Sequence, residues 1–420
     1  MSKGLRLRAE QLFGIACQAA DPARALAAAV KTAPLPRPDP GGAYRVVAIG
    51  KAAVPMAEWL LGHLAGVPVQ AIVVTNYENA RALSGARVMA AGHPLPDDNG
   101  AAAAAAVIEL LDGASAADQV IALISGGASA LVPAPLAGLT LADKADVNRL
   151  LLASGFDITE TNLVRQQLSQ LKGGGLARLA SPARLTGYVL SDVIGDDLRV
   201  VASGPTTGPI GTRAMARDLI RKRGLWEALP DPVRAILGRD ALPTTPAAHA
   251  TNILIGSNRK SLDAVAAAAG PEAMIVNDRL IGDVADAARQ IVQAALAVPP
   301  GSARCCIFGG ETTVQLRGTG MGGRNQELAL RVALAMPNLG RDWVFLSGGT
   351  DGRDGPTDAA GGVVDAGTAG RIRAAGADPV ALLANNNSYA ALRLAGDRLI
   401  VGATGTNVAD VQILMIATDG

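Results

Sequence analysis

The chain has 420 residues, with 38 Lys and Arg against 37 Asp and Glu, and 49% of its residues are hydrophobic but only 3% aromatic. This length allows two or three domains, each with a core built mostly from Leu, Val, Ile and Ala. A near-neutral chain with no long basic run lacks the footprint for broad nucleic-acid binding, and scarce aromatics leave few platforms for stacking single strands.

Residues 1–12 mix basic and apolar residues without a continuous apolar stretch or a cleavage site, so no secretory signal is expected. Residues 5–31 read as an Ala-rich helical region broken at Asp21 and Pro22, a helix-start signature. Residues 34–42 read as a Pro/Gly linker. The Ala run at 101–106 is short and soon meets Glu109 and Asp112, so it predicts a helix in water, not a membrane span. Cys17, Cys305 and Cys306 fit neither a disulfide framework nor a zinc spacing, as expected of a reduced cytoplasmic protein.

A recurring pattern begins at residue 46, where a short apolar run ends in Gly or small polar residues. Residues 46–49 lead into Gly50 and Lys51, 120–124 into Ser125, 188–190 into Ser191 and Asp192, 253–255 into Gly256, 306–308 into Gly309, and 344–346 into Ser347. Uninterrupted apolar strands alternating with helical segments predict an α/β fold with a parallel sheet covered on both faces. Ligands bind such sheets beyond the carboxyl ends of the strands, which is where the unusual residues lie. The Pro-rich stretch 229–248, with Pro230, Pro232, Pro243 and Pro246, is the expected boundary between a domain at 1–240 and one at 241–420.

Each strand tip has a chemical and a plain reading. Lys51 follows Gly50 where a strand meets a helix, so it either meets an anion or is solvated; the segment is no Walker loop. Ser125, Gly126, Gly127, Ala128 and Ser129 form either an anion nest or an ordinary tight turn. A helix over 159–172 would put Asn162, Arg165, Ser169 and Lys172 on one face, ahead of Gly173, Gly174 and Gly175. Asp192 could hold Mg²⁺ or accept the proton of a substrate hydroxyl, whereas Asp196 and Asp197 suit capping.

Glu311 precedes a glycine-rich stretch in which Gly318, Gly320 and Gly323 spell GxGxxG. Residues 313–316 look strand-like and a helix follows, so a dinucleotide site has to be weighed. A loop presenting Arg324 to phosphate or carboxylate fits better. Residues 347–358 carry Asp351, Asp354 and Asp358 without the EF-hand ligand series; they form a substrate loop or a surface turn. The polar clusters at 385–388 and 404–407 either touch ligand or cap helices. His63, His93 and His249 form no dyad or metal cluster and read as surface or structural residues.

Nine segments together resemble the glycerate 2-kinase family, also known as hydroxypyruvate reductases and carrying a C-terminal MOFRL domain. They are GKAA (50–53), SGGASAL (125–131), NLVRQQLSQLKGG (162–174), LSDVIGDDL (190–198), ASGPT (202–206), GGETTVQL (309–316), GGRNQELAL (322–330), SGGTDGRDGPTDAAGG (347–362) and TGTNVADV (404–411), in the family's order. The resemblance implies a Rossmann-like N-terminal domain, a smaller C-terminal α/β domain and an active site in the cleft between them. It implies ATP- and Mg²⁺-dependent phosphorylation of D-glycerate at its 2-hydroxyl, with Lys51, Asp192 and Arg324 catalytic. Ser125–Ser129, Arg165, Lys172, Glu311, Asn325 and Asp351 are the expected substrate or phosphate contacts, and Asp192 the metal ligand. Expected partners are glycerate and nucleotide, with no nucleic acid or membrane; a homodimer is compatible. The competing readings are an NAD(P)H-dependent hydroxypyruvate reductase and a non-catalytic sensor of phosphorylated metabolites.

Overall fold

The apolar runs become neighbouring strands in a computed structural model that describes residues 2–64, 66–239 and 250–418. β1 (Tyr44–Ile49), β2 (Val69–Asn76), β3 (Arg87–Ala91), β4 (Gln119–Ile124), β5 (Arg184–Leu190) and β6 (Ala250–Gly256) form one sheet in the order β3-β2-β1-β4-β5-β6. β1 runs parallel to β2 and β4, β2 to β3, and β4 to β5. Every residue of β4 is buried, as expected of a strand in the middle of a covered sheet. The helices Ala53–His63 and Asp98–Asp112 pack on these strands, the second capped by Asp97, whose side chain accepts the Gly100 N–H. The strand order reverses between β1 and β4, the point beyond which open α/β sheets hold ligands.

Four helices, Leu141–Ala153, Ile158–Gln166, Arg213–Lys222 and Asp231–Leu237, share a separate core that includes Leu151, Val164, Ile220 and Val233. Capping boxes at Thr140 with Asp143 and at Asp157 with Glu160 begin the first two. The expected helix over 159–172 stops at Gln166. Residues 168–170 instead pair with the backbone of 134–136, with Leu136 N–H donating to Leu168 O and Gln170 N–H to Ala134 O. The four polar residues therefore do not share one helical face. The three glycines that follow serve close backbone packing, since a Cβ on Gly175 would lie 1.9 Å from Gln170 O.

A second sheet contains β7 (Ala273–Asn277), β9 (Arg304–Gly310), β11 (Trp343–Gly349), β12 (Gly361–Asp365), β13 (Arg398–Leu399) and β14 (Asp410–Ile416), in the order β13-β12-β11-β14-β9-β7. β8 (Gly282–Asp283) and β10 (Thr312–Thr313) pair separately. This second sheet is mixed, not parallel: β14 is antiparallel to both β9 and β11. One face is covered by the helices Val284–Leu296 and Arg324–Ala335 through Ile291, Leu328 and Val332. The other takes Ala9, Leu12, Phe13 and Ala16 of the first helix, Ser2–Ala19, against Ile307, Val344 and Val411. Arg6 fixes that helix by donating to Val363 O at 2.9 Å and pairing with Asp365 and Asp397.

The chain thus forms two compact units that are not simple halves: residues 25–191 with 196–255, and residues 1–24 with 192–195 and 256–420. They differ from a single cut after residue 240 because the first helix packs on the C-terminal sheet. The expected cut, Pro243, Pro246 and His249 lie outside the described residues. Among the described residues no helix is long and apolar enough to cross a membrane.

Candidate functional site

In the unit of the parallel sheet, the tips of β1 and β4 interlock. Ala52 N–H donates to Ser125 Oγ at 3.0 Å, and Lys51 N–H to Gly126 O at 2.9 Å. Gly50 is required here: its φ is +131°, and a Cβ would stand 2.1 Å from Ser125 Oγ. Ser125 is therefore a buried brace between the tips, while Gly127 has His93 and the Lys51 side chain beside it.

Next to these tips is a cavity of about 210 Å³, lined by Gly127 and Ser129 and by four polar side chains, Lys144, Asn148, Arg165 and Lys172. His93 also lines it. Lys144 and Lys172 are only 7% and 5% exposed. Lys172 Nζ donates to Ser129 O at 2.7 Å and also to Ser129 Oγ, which lies 2.9 Å from Ser203 Oγ. Ser203 in turn donates to Asn162 Oδ1 at 2.6 Å. Lys144 Nζ donates to Pro133 O, and Arg165 Nε to Asn148 Oδ1 at 2.6 Å. All these acceptors are neutral, and no carboxylate among the described residues pairs with the three cations.

Buried cations are ordinarily paired, and here the electrostatics show the deficit. Burial, reinforced by the positive charge of Arg165, lowers the Lys144 pKa to about 7. Burial, with Lys144 and Arg165, pushes Lys172 well below its usual range. Burial likewise lowers His93, with Lys51 adding and Glu78 opposing. A bound anion would relieve all of these at once.

The structure brings Lys51, Ser125–Ser129, Arg165 and Lys172 into this one neighbourhood. Sequence pattern alone does not reveal Lys144, Asn148 or Ser203. His93 also turns out to belong to the pocket, contrary to its plain reading. Lys144 sits four residues after Thr140, the cap of its helix, so its sequence resembles any surface turn. A buried lysine facing an Arg and a Lys, with no carboxylate partner among the described residues, becomes visible only in three dimensions.

The other unit holds Asp192, Glu311, Arg324, Asn325 and Asp351. Asp192 is half-buried, two residues beyond β5. Arg324 opens the helix Arg324–Ala335 and is not an unopposed anion hook. Its Nε lies 2.6 Å from Asp410 Oδ2, its Nη2 3.0 Å from Asp410 Oδ1, and its Nη1 2.9 Å from Glu311. Burial alone would lower its pKa, but Asp410, Glu311 and Asp354 raise it above the ordinary guanidinium value, so it stays cationic. Asn325 is fully buried and differs from the expected ligand contact: its amide receives Ser347 Oγ at 2.6 Å and donates toward Asp354. Asp354 also accepts the N–H groups of Asn325 and Gln326 at 3.1 and 2.8 Å, so the helix N-terminus already carries a carboxylate. Asp351 is exposed and receives the Arg353 N–H at 3.0 Å, a local turn.

The GxGxxG stretch is not built for a pyrophosphate. Of residues 313–316, expected as its leading strand, only Thr313 lies in a strand, the two-residue β10. The N–H groups of Arg317 and Gly318 donate to Asn386 Oδ1 at 2.7 and 3.0 Å, Thr319 N–H to Asn385 Oδ1 at 3.0 Å, and Gly320 N–H to Asn385 O at 2.9 Å. A Cβ on Gly320 would lie 2.4 Å from that same carbonyl. The glycines admit the Asn385–Asn387 turn, and the donors a cofactor would need are used within the protein.

No group of three or more His, Cys, Asp or Glu side chains converges among the described residues, so the residues do not make an all-protein metal cage. A lone carboxylate of the type of Asp192, half-buried beyond β5, is chemically able to hold Mg²⁺ only together with other oxygen ligands such as phosphates.

Comparison with known proteins now adds to this geometry. A family model described as a domain of unknown function, DUF4147, matches residues 8–238, and one described as the MOFRL family matches residues 304–410. The D-glycerate 2-kinase of Thermotoga maritima is 40% identical over 383 residues, which cover 88% of this chain and 90% of that protein. A protein of Agrobacterium vitis bearing the provisional name hydroxypyruvate reductase is 39% identical over 382 residues, 88% of this chain and 98% of its own. A crystal structure of glycerate kinase from Thermotoga maritima superposes with a TM-score of 0.90 at 36% identity, covering 99% of this chain and 100% of that one.

Proposed function

This chain belongs to the glycerate 2-kinase family, and from that premise we propose that it transfers the γ-phosphoryl group of ATP to the 2-hydroxyl of D-glycerate, giving 2-phosphoglycerate and ADP in the cytoplasm. The observation that carries the reading is the pocket of three cations without a carboxylate partner, beside Lys51 and the interlocked tips of β1 and β4. Both substrates of such a kinase are anions, and phosphoryl transfer asks the protein mainly for positioning and charge stabilisation. The 2-hydroxyl oxygen bonds to the γ-phosphorus, the bond from that phosphorus to the bridging oxygen breaks, and the hydroxyl proton is released.

Lys51 acts as a mobile point charge toward phosphate or carboxylate. Arg324, held by Asp410 and Glu311, supplies a fixed cationic edge. Asp192 either orients the 2-hydroxyl and takes its proton or holds Mg²⁺. Magnesium, bound through Asp192 and phosphate oxygens, would neutralise developing phosphate charge. Glu311 and Asp351 remain candidate substrate contacts.

A coupled ATPase assay with D-glycerate, followed by NMR of the product, tests the reading. ATP-dependent appearance of 2-phosphoglycerate is expected. Formation of 3-phosphoglycerate overturns the regiochemistry, and NADH oxidation with hydroxypyruvate in the absence of ATP overturns the kinase.

A further inference from the structure

We propose that the cavity beside β1 and β4 seats the small acid and not the nucleotide, and that Lys144 and Asn148 determine its selectivity for a carboxylate. The inference rests on the kinase reading above and adds to it the occupant of one pocket and two residues that recognise it.

Size is the first ground. Pockets for drug-sized ligands occupy roughly 300–1,000 Å³, whereas this one measures about 210 Å³. A three-carbon hydroxy acid fits that space; an adenine nucleotide does not.

The donor inventory is the second. Arg165 is held through Nε by Asn148, and no acceptor among the described residues takes its two Nη groups. Those groups form the planar fork that matches a carboxylate with two parallel hydrogen bonds. Asn148 therefore aims the fork. Lys144 commits one of its three ammonium donors, to Pro133 O. Lys172 commits two, to Ser129 O and Oγ. The remaining N–H groups need an acceptor, and none of the lining residues is acidic.

Charge is the third. The groups facing Lys144 are Arg165 and Lys172, both positive, with His93 also on the lining. On its own helix, Asp143 is bonded to Thr140 and Asp146 to Arg149, so neither neutralises it. Only a bound anion balances the set.

The test compares wild type with Lys144→Met and Asn148→Leu, each checked for folding by thermal melting. Loss of a charge-assisted hydrogen bond predicts a KM for D-glycerate raised about tenfold or more, with the KM for ATP within about twofold. Lys144→Arg should recover part of the loss. Calorimetric titration with D-glycerate and with inorganic phosphate separates the two anion chemistries, and tighter glycerate binding that Lys144→Met weakens supports the proposal. A raised KM for ATP with an unchanged KM for glycerate overturns it, as does phosphate binding that alone responds to the substitutions. Unchanged constants in both folded variants also overturn it. Should wild type not phosphorylate glycerate, the kinase reading fails separately; the pocket is then judged by whether Lys144→Met weakens calorimetric binding of small 2-hydroxy acids.

Discussion

Arg324 grips both carboxylate oxygens of Asp410, and the Asp410 side chain has no exposed surface. Removing one partner of a buried pair strands the other charge, which costs about 3–5 kcal/mol. Arg324→Ala should therefore lower the urea-unfolding free energy by that amount and reduce turnover about a hundredfold or more. Unchanged unfolding in Arg324→Ala would show that the pair does not hold the helix start.

Gly50 gives a sharper steric prediction. A side chain there would meet Ser125 Oγ at 2.1 Å and Ser125 O at 2.5 Å, in a backbone conformation that only glycine adopts freely. Gly50→Ala should cost about 3 kcal/mol or more and separate the two strand tips. A thermal melt identical to wild type would contradict this geometry.

Lys144 should leave a signature in pH titrations of the ligand-free protein. Burial and the positive charge of Arg165 bring its pKa down to about 7 in the native state, against 10.5 for an ordinary lysine. Between these values the unfolded chain binds the proton and the native protein does not, so native stability rises with pH, by up to about 1.4 kcal/mol per unit. Below about pH 7 both states are protonated and the burial penalty is carried in full. Lys144→Met removes this dependence. Its stability advantage over wild type should be largest near pH 6 and shrink toward pH 10; an advantage independent of pH would show a normal lysine.

Asn386 tests the glycine-rich stretch. It accepts from Arg317 and Gly318 and donates to Gln315 O and Glu327 Oε2. Asn386→Ala should destabilise the protein by about 2–3 kcal/mol. Fluorescence titration of wild type with NADH should show no binding, because the backbone donors are already engaged.

The strands with continuous apolar runs, such as 120–124 and 344–346, were legible in the sequence because a strand buried on both faces writes an unbroken signal. β12 begins with Gly361 and Gly362, and β13 has two residues, so neither writes one. Lys51, Arg165 and Lys172 could be read as cations near strand ends and glycines. Their convergence with Lys144 could not, because Lys144 and Lys172 are joined through loops whose course depends on backbone pairing between 134–136 and 168–170. The GxGxxG pattern misled for a related reason: a glycine needed to admit an Asn turn is spelled like one needed to admit a phosphate.

The first helix forms one wall of a sheet whose last strand, β14, ends at Ile416. Leu12 and Phe13 thus leave the ribosome long before Val411 and Ile413, the residues they pack against. Until then their greasy side is a target for chaperones. A fragment beginning at residue 256 would be born without that wall and with Asp365 and Asp397 deprived of Arg6, so the C-terminal sheet should be obtainable in soluble form only when the opening helix is supplied, in the same chain or as a separate peptide.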